Sequence, residues 1–171
     1  MSKATLKKAL KDLDSEGLTE IILELYDKRP EAKEYLEFWI NPDSDKEFEK
    51  YRQRLFKIFF MSEERPKKSP DFTTAKRYIK YFSSLYIEPQ QTGMLMLEML
   101  DIYSRWLSVR NRVLSHTERV RKMSEEIETY IEVNGLEDSL GIRFSAIQEK
   151  LAKIFERGDR RSYRGWRRWF D

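Results

Sequence analysis

Large apolar residues recur every third or fourth position along most of the chain, and this spacing constrains the fold more than any other feature. Leu6, Leu10 and Leu13 repeat at that interval, followed by Leu18, Ile21, Ile22, Leu25 and Tyr26, then Tyr35, Leu36, Phe38 and Trp39. Phe48, Tyr51, Leu55, Phe56, Ile58 and Phe59 continue the pattern, and Ala75, Tyr78, Ile79 and Phe82 take it up again. Residues so spaced gather on one face of a helix, whereas a half-buried strand needs alternation by two. No stretch alternates, and the β-branched residues are scattered. The expectation is an all-α fold with no strand.

Capping and breaking residues divide the pattern. Ser2 can cap a first helix and Asp14 or Ser15 a second, because their short side chains accept hydrogen bonds from orphan amides of the first turn. Pro30 suits the first turn of a third helix, PEAKEYLEFWI, where no amide donor is needed. NPDSD breaks the chain before a fourth helix over 43–60. SEERPKKSPD is polar, holds two prolines and lacks periodicity, which marks 62–71 as a candidate internal linker. Asp71 or Thr73 opens a fifth helix, and a sixth runs from Pro89 through MLMLEMLDIYSRWLSV. Helices over 112–133 and 138–156 follow, with Gly135 as the stop between them and Gly158 before the tail. This predicts a single domain over 1–171 of about eight helices, arranged as an irregular bundle or as stacked helical hairpins. No fixed-period repeat is present.

Composition narrows the class. Of 171 residues, 40% are apolar and 37% charged, and the 13% that are aromatic supply ample material to bury. There is no cysteine, which removes disulfide and thiolate chemistry. MSKATLKKALKDLD carries charges where a signal peptide needs an apolar core, and MLMLEML is too short to span a bilayer. A cytoplasmic protein is expected, with no role at a membrane. The net charge of +3 is unevenly spread: 12 basic and 13 acidic residues over 1–60, 12 and 7 over 61–123, 3 and 8 over 124–156, and 6 and 2 over 157–171. Acidic and basic blocks in sequence suggest charge matching between neighbouring helices rather than the one-sided field of a dedicated nucleic-acid binder.

Three stretches carry a family resemblance. SKATLKKALKDLDSEGLTEIILELYDK, AKEYLEFWINPD and DFTTAKRYIKYFSSLYIEPQQTGMLMLEMLDIYSRW resemble a family of small bacterial proteins of unknown function. Its marks here are the SK-x-x-LKK-x-L start, the aromatic-NP-D break, and the A-K-x-x-I-K-x-F helix before a Glu-Pro turn. The resemblance implies a bacterial, cytoplasmic, helical protein and assigns no catalytic residue. The first two helices also share the helix–turn–helix spacing of small DNA-binding modules of the SAP type. Lys3, Lys7, Lys8 and Lys11 would meet phosphates there, but Glu16, Glu20, Glu24 and Asp27 on the second helix would repel them.

Catalytic and metal-binding signatures are missing. The one histidine, His116, could act as a base beside Glu118 or Glu98, but is better read as a partly exposed helix residue. Zinc needs several His, Cys or carboxylate ligands at fixed spacing, and di-iron sites need Glu-x-x-His pairs. Glu125, Glu128 and Glu132 share one helix face and read as a solvated stripe. No phosphate loop, dinucleotide loop or nucleophile elbow occurs. No metal, no cofactor and no enzymatic activity are expected. Met94, Met96 and Met99 could line an adaptable groove, but interleaved with Leu95, Leu97 and Leu100 they read as a buried central helix.

The tail RGDRRSYRGWRRWFD holds six arginines and four aromatics. On a helix with Tyr163 at 0°, Trp166, Trp169 and Phe170 fall at about 300°, 240° and 340°, and the arginines at about 40–160°. This segregation predicts aromatics docked inward and an outward basic row of Arg157, Arg160, Arg161, Arg164, Arg167 and Arg168. That row is the candidate binding face, extended by RPKKSP and by Arg105, Arg110, Arg112, Arg119, Arg121 and Lys122 if the fold gathers them. The leading expectation is a non-catalytic helical protein-interaction module, with a protein partner or a second copy of the chain. Nucleic-acid binding through the arginine row is the second.

Overall fold

The computed structural model describes residues 2–85, 87–110 and 113–158. The fold is all-α, as the apolar spacing predicts, with eight α-helices and one very small sheet among the described residues. Two compact units meet in sequence inside the NPDSD break, at Asp43 and Ser44.

The first unit holds α1 (Lys3–Lys11), α2 (Ser15–Lys28) and α3 (Pro30–Ile40). The caps fall where the sequence places them. Ser2 Oγ accepts from the Thr5 amide at 3.2 Å, and Asp14 Oδ1 from the Gly17 amide at 2.8 Å. Pro30 occupies the first turn of α3. Helices α2 and α3 form a hairpin fastened by Tyr26, whose hydroxyl donates to Glu37 Oε1 at 2.9 Å while Lys33 lies over its ring. No residue of the three helices is buried. The apolar stripes read from the sequence form, but Leu6, Leu13, Ile21, Ile22 and Leu25 remain exposed.

The second unit begins with α4 (Ser44–Phe59). A hairpin follows, β1 (Phe60–Ser62) with β2 (Arg65–Pro66), then α5 (Phe72–Ser83) and α6 (Pro89–Arg110). A 3-10 turn over Leu114–His116 leads into α7 (Thr117–Val133), and α8 (Glu137–Gly158) is the last described element. Helix α6 is the axis on which α4, α5, α7 and α8 pack. Its buried set, including Leu95, Leu97, Met99, Leu100, Tyr103, Trp106 and Leu107, faces several directions because neighbours cover it on more than one side. Each such large side chain contributes about 1.5–3 kcal/mol by leaving water.

Two expectations are corrected. The first is the absence of strands, since Phe60 pairs with Pro66 and Ser62 with Arg65 in an antiparallel hairpin. The cause is tertiary. The Lys67 amide donates to Phe59 O at 2.8 Å, and buried Trp106 on α6 donates its indole N–H to Lys67 O at 2.8 Å. Arg105 adds a bond from its guanidinium to Glu63 O at 2.8 Å. The first residues of the expected 62–71 linker are thus tied to α6. The second correction is the start of the helix expected at 112, which begins at Thr117 after the 3-10 turn. Gly135, at φ 63°, ends α7 in the left-handed conformation that glycine adopts most readily. Among the described residues no helix is long and apolar enough to cross a membrane.

Candidate binding groove between α5, α6 and α7

Three helical faces converge on one hollow of about 280 Å³. Asp71 starts α5 by accepting from the Thr74 amide at 3.0 Å, which fixes the register that turns Lys76, Ile79, Lys80 and Ser83 to one side. Helix α6 contributes Thr92, Met96 and Met99, and α7 contributes Met123, Glu126, Ile127 and Tyr130. The floor is therefore aliphatic and thioether. Methionine is unbranched and polarizable, so three methionines on two helices can repack around differently shaped apolar groups. Met99 and Met123 are buried, while Met96 is half-buried.

The edge of the groove is cationic. Helix α5 carries Lys76, Arg77 and Lys80 and no acidic residue. Lys76 Nζ joins α5 to α7 through both oxygens of Glu126, at 2.6 and 2.8 Å. Lys80 is exposed and has no ion pair among the described residues. Tyr130 donates its hydroxyl to Pro89 O at 3.3 Å, and burial pushes its phenol above the ordinary value, so it stays a neutral donor. The groove offers apolar contact with a basic border.

A second hollow, of about 390 Å³, lies between α4 and α6, and three of the charged residues lining it are ion-paired. Glu98 is held by Arg143, Asp101 by Lys150 at 2.6 Å, and Arg52 by Glu49 at 2.7 Å. A ligand there would have to displace these pairs or the Arg105 bond to Glu63.

His116 lies in an aromatic cluster. Its Nδ1 is 2.6 Å from the Tyr103 hydroxyl, and Trp106, Tyr103 and Phe72 surround its ring with centroids 5.1, 5.7 and 6.3 Å away. Burial raises the Tyr103 phenol well above its ordinary value, opposed by nearby Arg119. The carboxylates considered for this histidine are engaged elsewhere: Glu118 with Arg121 and Lys122, Glu98 with Arg143. Hydrogen bonds from Arg121 hold the Glu118 carboxyl down at about 2. No group of three potential ligands is placed to hold a metal ion among the described residues.

The candidate basic face is only partly within the described residues. Arg157 is exposed near the end of α8, whereas Arg160, Arg161, Arg164, Arg167 and Arg168 lie outside them, as do the tail aromatics and Arg112. Of the other arginines proposed to extend the face, Arg105, Arg119 and Arg121 make internal contacts, while Arg110 Nε is buried. Arg105 covers Phe60 and bonds Glu63 O, Arg119 lies 4.1 Å from the Phe72 ring centroid, and Arg121 is clamped by Glu118 and Glu125. Sequence spacing singled out Met96 and Met99 but could not bring Ile79, Met123, Ile127 and Tyr130 to them. Those residues come from two other helices, and only packing joins the three.

The model of a family described as a family of unknown function, DUF6155, matches residues 1–160. The comparisons with curated proteins and with solved structures each returned no match.

Proposed function

We propose, since the chain belongs to this family of unknown function, that it is a non-catalytic helical interaction module whose groove between α5, α6 and α7 receives the apolar anchor of an acidic protein segment. One observation carries this reading: Met96, Met99 and Met123 floor an open hollow along which α5 sets Lys76 and Lys80 and no acidic residue. Methionine-rich grooves suit amphipathic helices, which present apolar anchors at i, i+3 or i+4. Acidic residues beside the anchor would meet Lys80, which favours acidic over basic segments and speeds encounter at low salt. A polynucleotide reading draws no support from Arg105, Arg119 and Arg121, which are engaged in internal contacts.

The test is a titration of the full chain with a labelled amphipathic peptide of leucine and glutamate, followed by fluorescence anisotropy. The same peptide with lysine for glutamate is the control. Binding of the acidic peptide, weakened at least tenfold by Met96→Glu and several-fold by Lys80→Glu, is expected. Equal binding of both peptides, or binding indifferent to Met96→Glu, would remove the reading.

A further inference from the structure

Independently of the groove, we infer that the first unit is a self-association surface, in which α1 of one copy pairs with α2 of a second copy about a twofold axis. The starting point is size. Units of about 40 residues rarely hold together without a disulfide, a metal or a partner. Residues 1–43 contain no cysteine, and no metal-binding cluster occurs among the described residues. No residue of α1, α2 or α3 is buried, yet each helix presents large apolar side chains. Ile22 and Leu25 are each 47% exposed and Leu6 is 44% exposed. A pattern selected for burial thus stands uncovered within its own unit.

Charge identifies the cover. Helix α1 carries Lys3, Lys7, Lys8 and Lys11 and no acid, while α2 carries Glu16, Glu20, Glu24 and Asp27 against Lys28 alone. Only Glu24 and Lys28 pair with each other. The four lysines of α1, and Glu16, Glu20 and Asp27 of α2, have no ion pair among the described residues. One unit therefore displays an unspent basic helix and an unspent acidic helix, both with exposed apolar stripes. A surface carrying both signs is complementary to itself under a twofold rotation, which sets basic against acidic twice over. The apolar stripes then meet at the centre and the charges form the rim, the ordinary layout of a stable interface. DNA would match the lysines of α1 but would leave the apolar stripe of α2 in water and face its acids.

A charge-swap cycle on the full chain, read by sedimentation velocity at several concentrations and by far-ultraviolet circular dichroism, tests this. The wild type should be dimeric at tens of micromolar. Lys7→Glu with Lys8→Glu, or Glu16→Lys with Glu20→Lys, should each weaken dimerisation at least tenfold with helicity unchanged. All four substitutions in one chain should restore it, because the second copy carries the compensating helix. Ile22→Ala, which leaves every charge in place, should weaken the dimer as well. A monomer at every concentration overturns the inference. So does a dimer indifferent to both swaps, or retention of duplex DNA by the lysines with no change in mass.

Discussion

Gly93 on α6 lies against Leu140 on α8, and replacing it with alanine puts a number on how tightly the two pack. A Cβ at residue 93 would lie 2.6 Å from Leu140 Cδ1, and 3.5 Å from both Leu136 Cδ1 and Tyr130 Cε1. Carbon atoms pack best at about 3.5–4.0 Å, so Leu140 would have to withdraw by about 1 Å. It has little room, being only 3% exposed. Overpacking of this kind costs about 1–3 kcal/mol. Alanine recovers roughly 1 kcal/mol of helix propensity over glycine. The net loss is then about 1 kcal/mol, or ~2–4 °C in melting temperature for a chain of this length. Leu140→Ala alone should cost about 2–5 kcal/mol by leaving a cavity. If the clash is with Leu140, the double variant should cost at least about 1 kcal/mol less than the sum of the two. Urea unfolding followed by circular dichroism at 222 nm measures all three. A Gly93→Ala chain more stable than wild type, or additive costs in the double variant, would refute the packing described for this contact.

Other consequences can be checked alongside. Trp106→Phe removes the indole bond to Lys67 O and part of a fully buried ring, which should cost about 2–4 kcal/mol and speed amide exchange at Lys67; unchanged exchange there would mean that the hairpin is held by other contacts. Burial raises the Tyr103 phenol, so its contribution to stability is complete below the ordinary phenol value near 10 and is lost as pH climbs above it. Tyr103→Phe should flatten that alkaline loss of urea midpoint, and identical alkaline slopes would contradict it. Hydrogen bonds from Arg121 lower the Glu118 carboxyl to about 2 and those from Arg52 lower Glu49 to about 2, so their small contributions are present above pH 4.5 and fade between 4.5 and 2. Glu118→Gln should make the urea midpoint less steep in that window, against which an unaltered slope would count.

Helices were legible because their signals are local. Ser2, Asp14 and Asp71 cap where short acceptors precede an apolar-periodic run, Pro30 opens α3, and Gly135 closes α7. What escaped depends on distant partners. The hairpin at 60–66 has no alternating pattern of its own and relies on Trp106, 39 residues beyond Lys67. His116 meets Tyr103 rather than Glu118 or Glu98. The methionines of α6 proved both core and groove: Met99 is buried and Met96 half-buried, and both line the hollow that α6 shares with α5 and α7. Hydropathy along one helix carries no information about where neighbouring helices leave a hollow.

The most direct measurement of the central claim is a methyl spectrum of the full chain labelled at the methionine methyl carbons, recorded with and without the acidic amphipathic peptide. Shifts concentrated at Met96, Met99 and Met123 are expected, with Met61 unmoved because it is exposed on the β1 strand, away from the groove lining. Shifts at Met61 with the three groove methionines silent would contradict it.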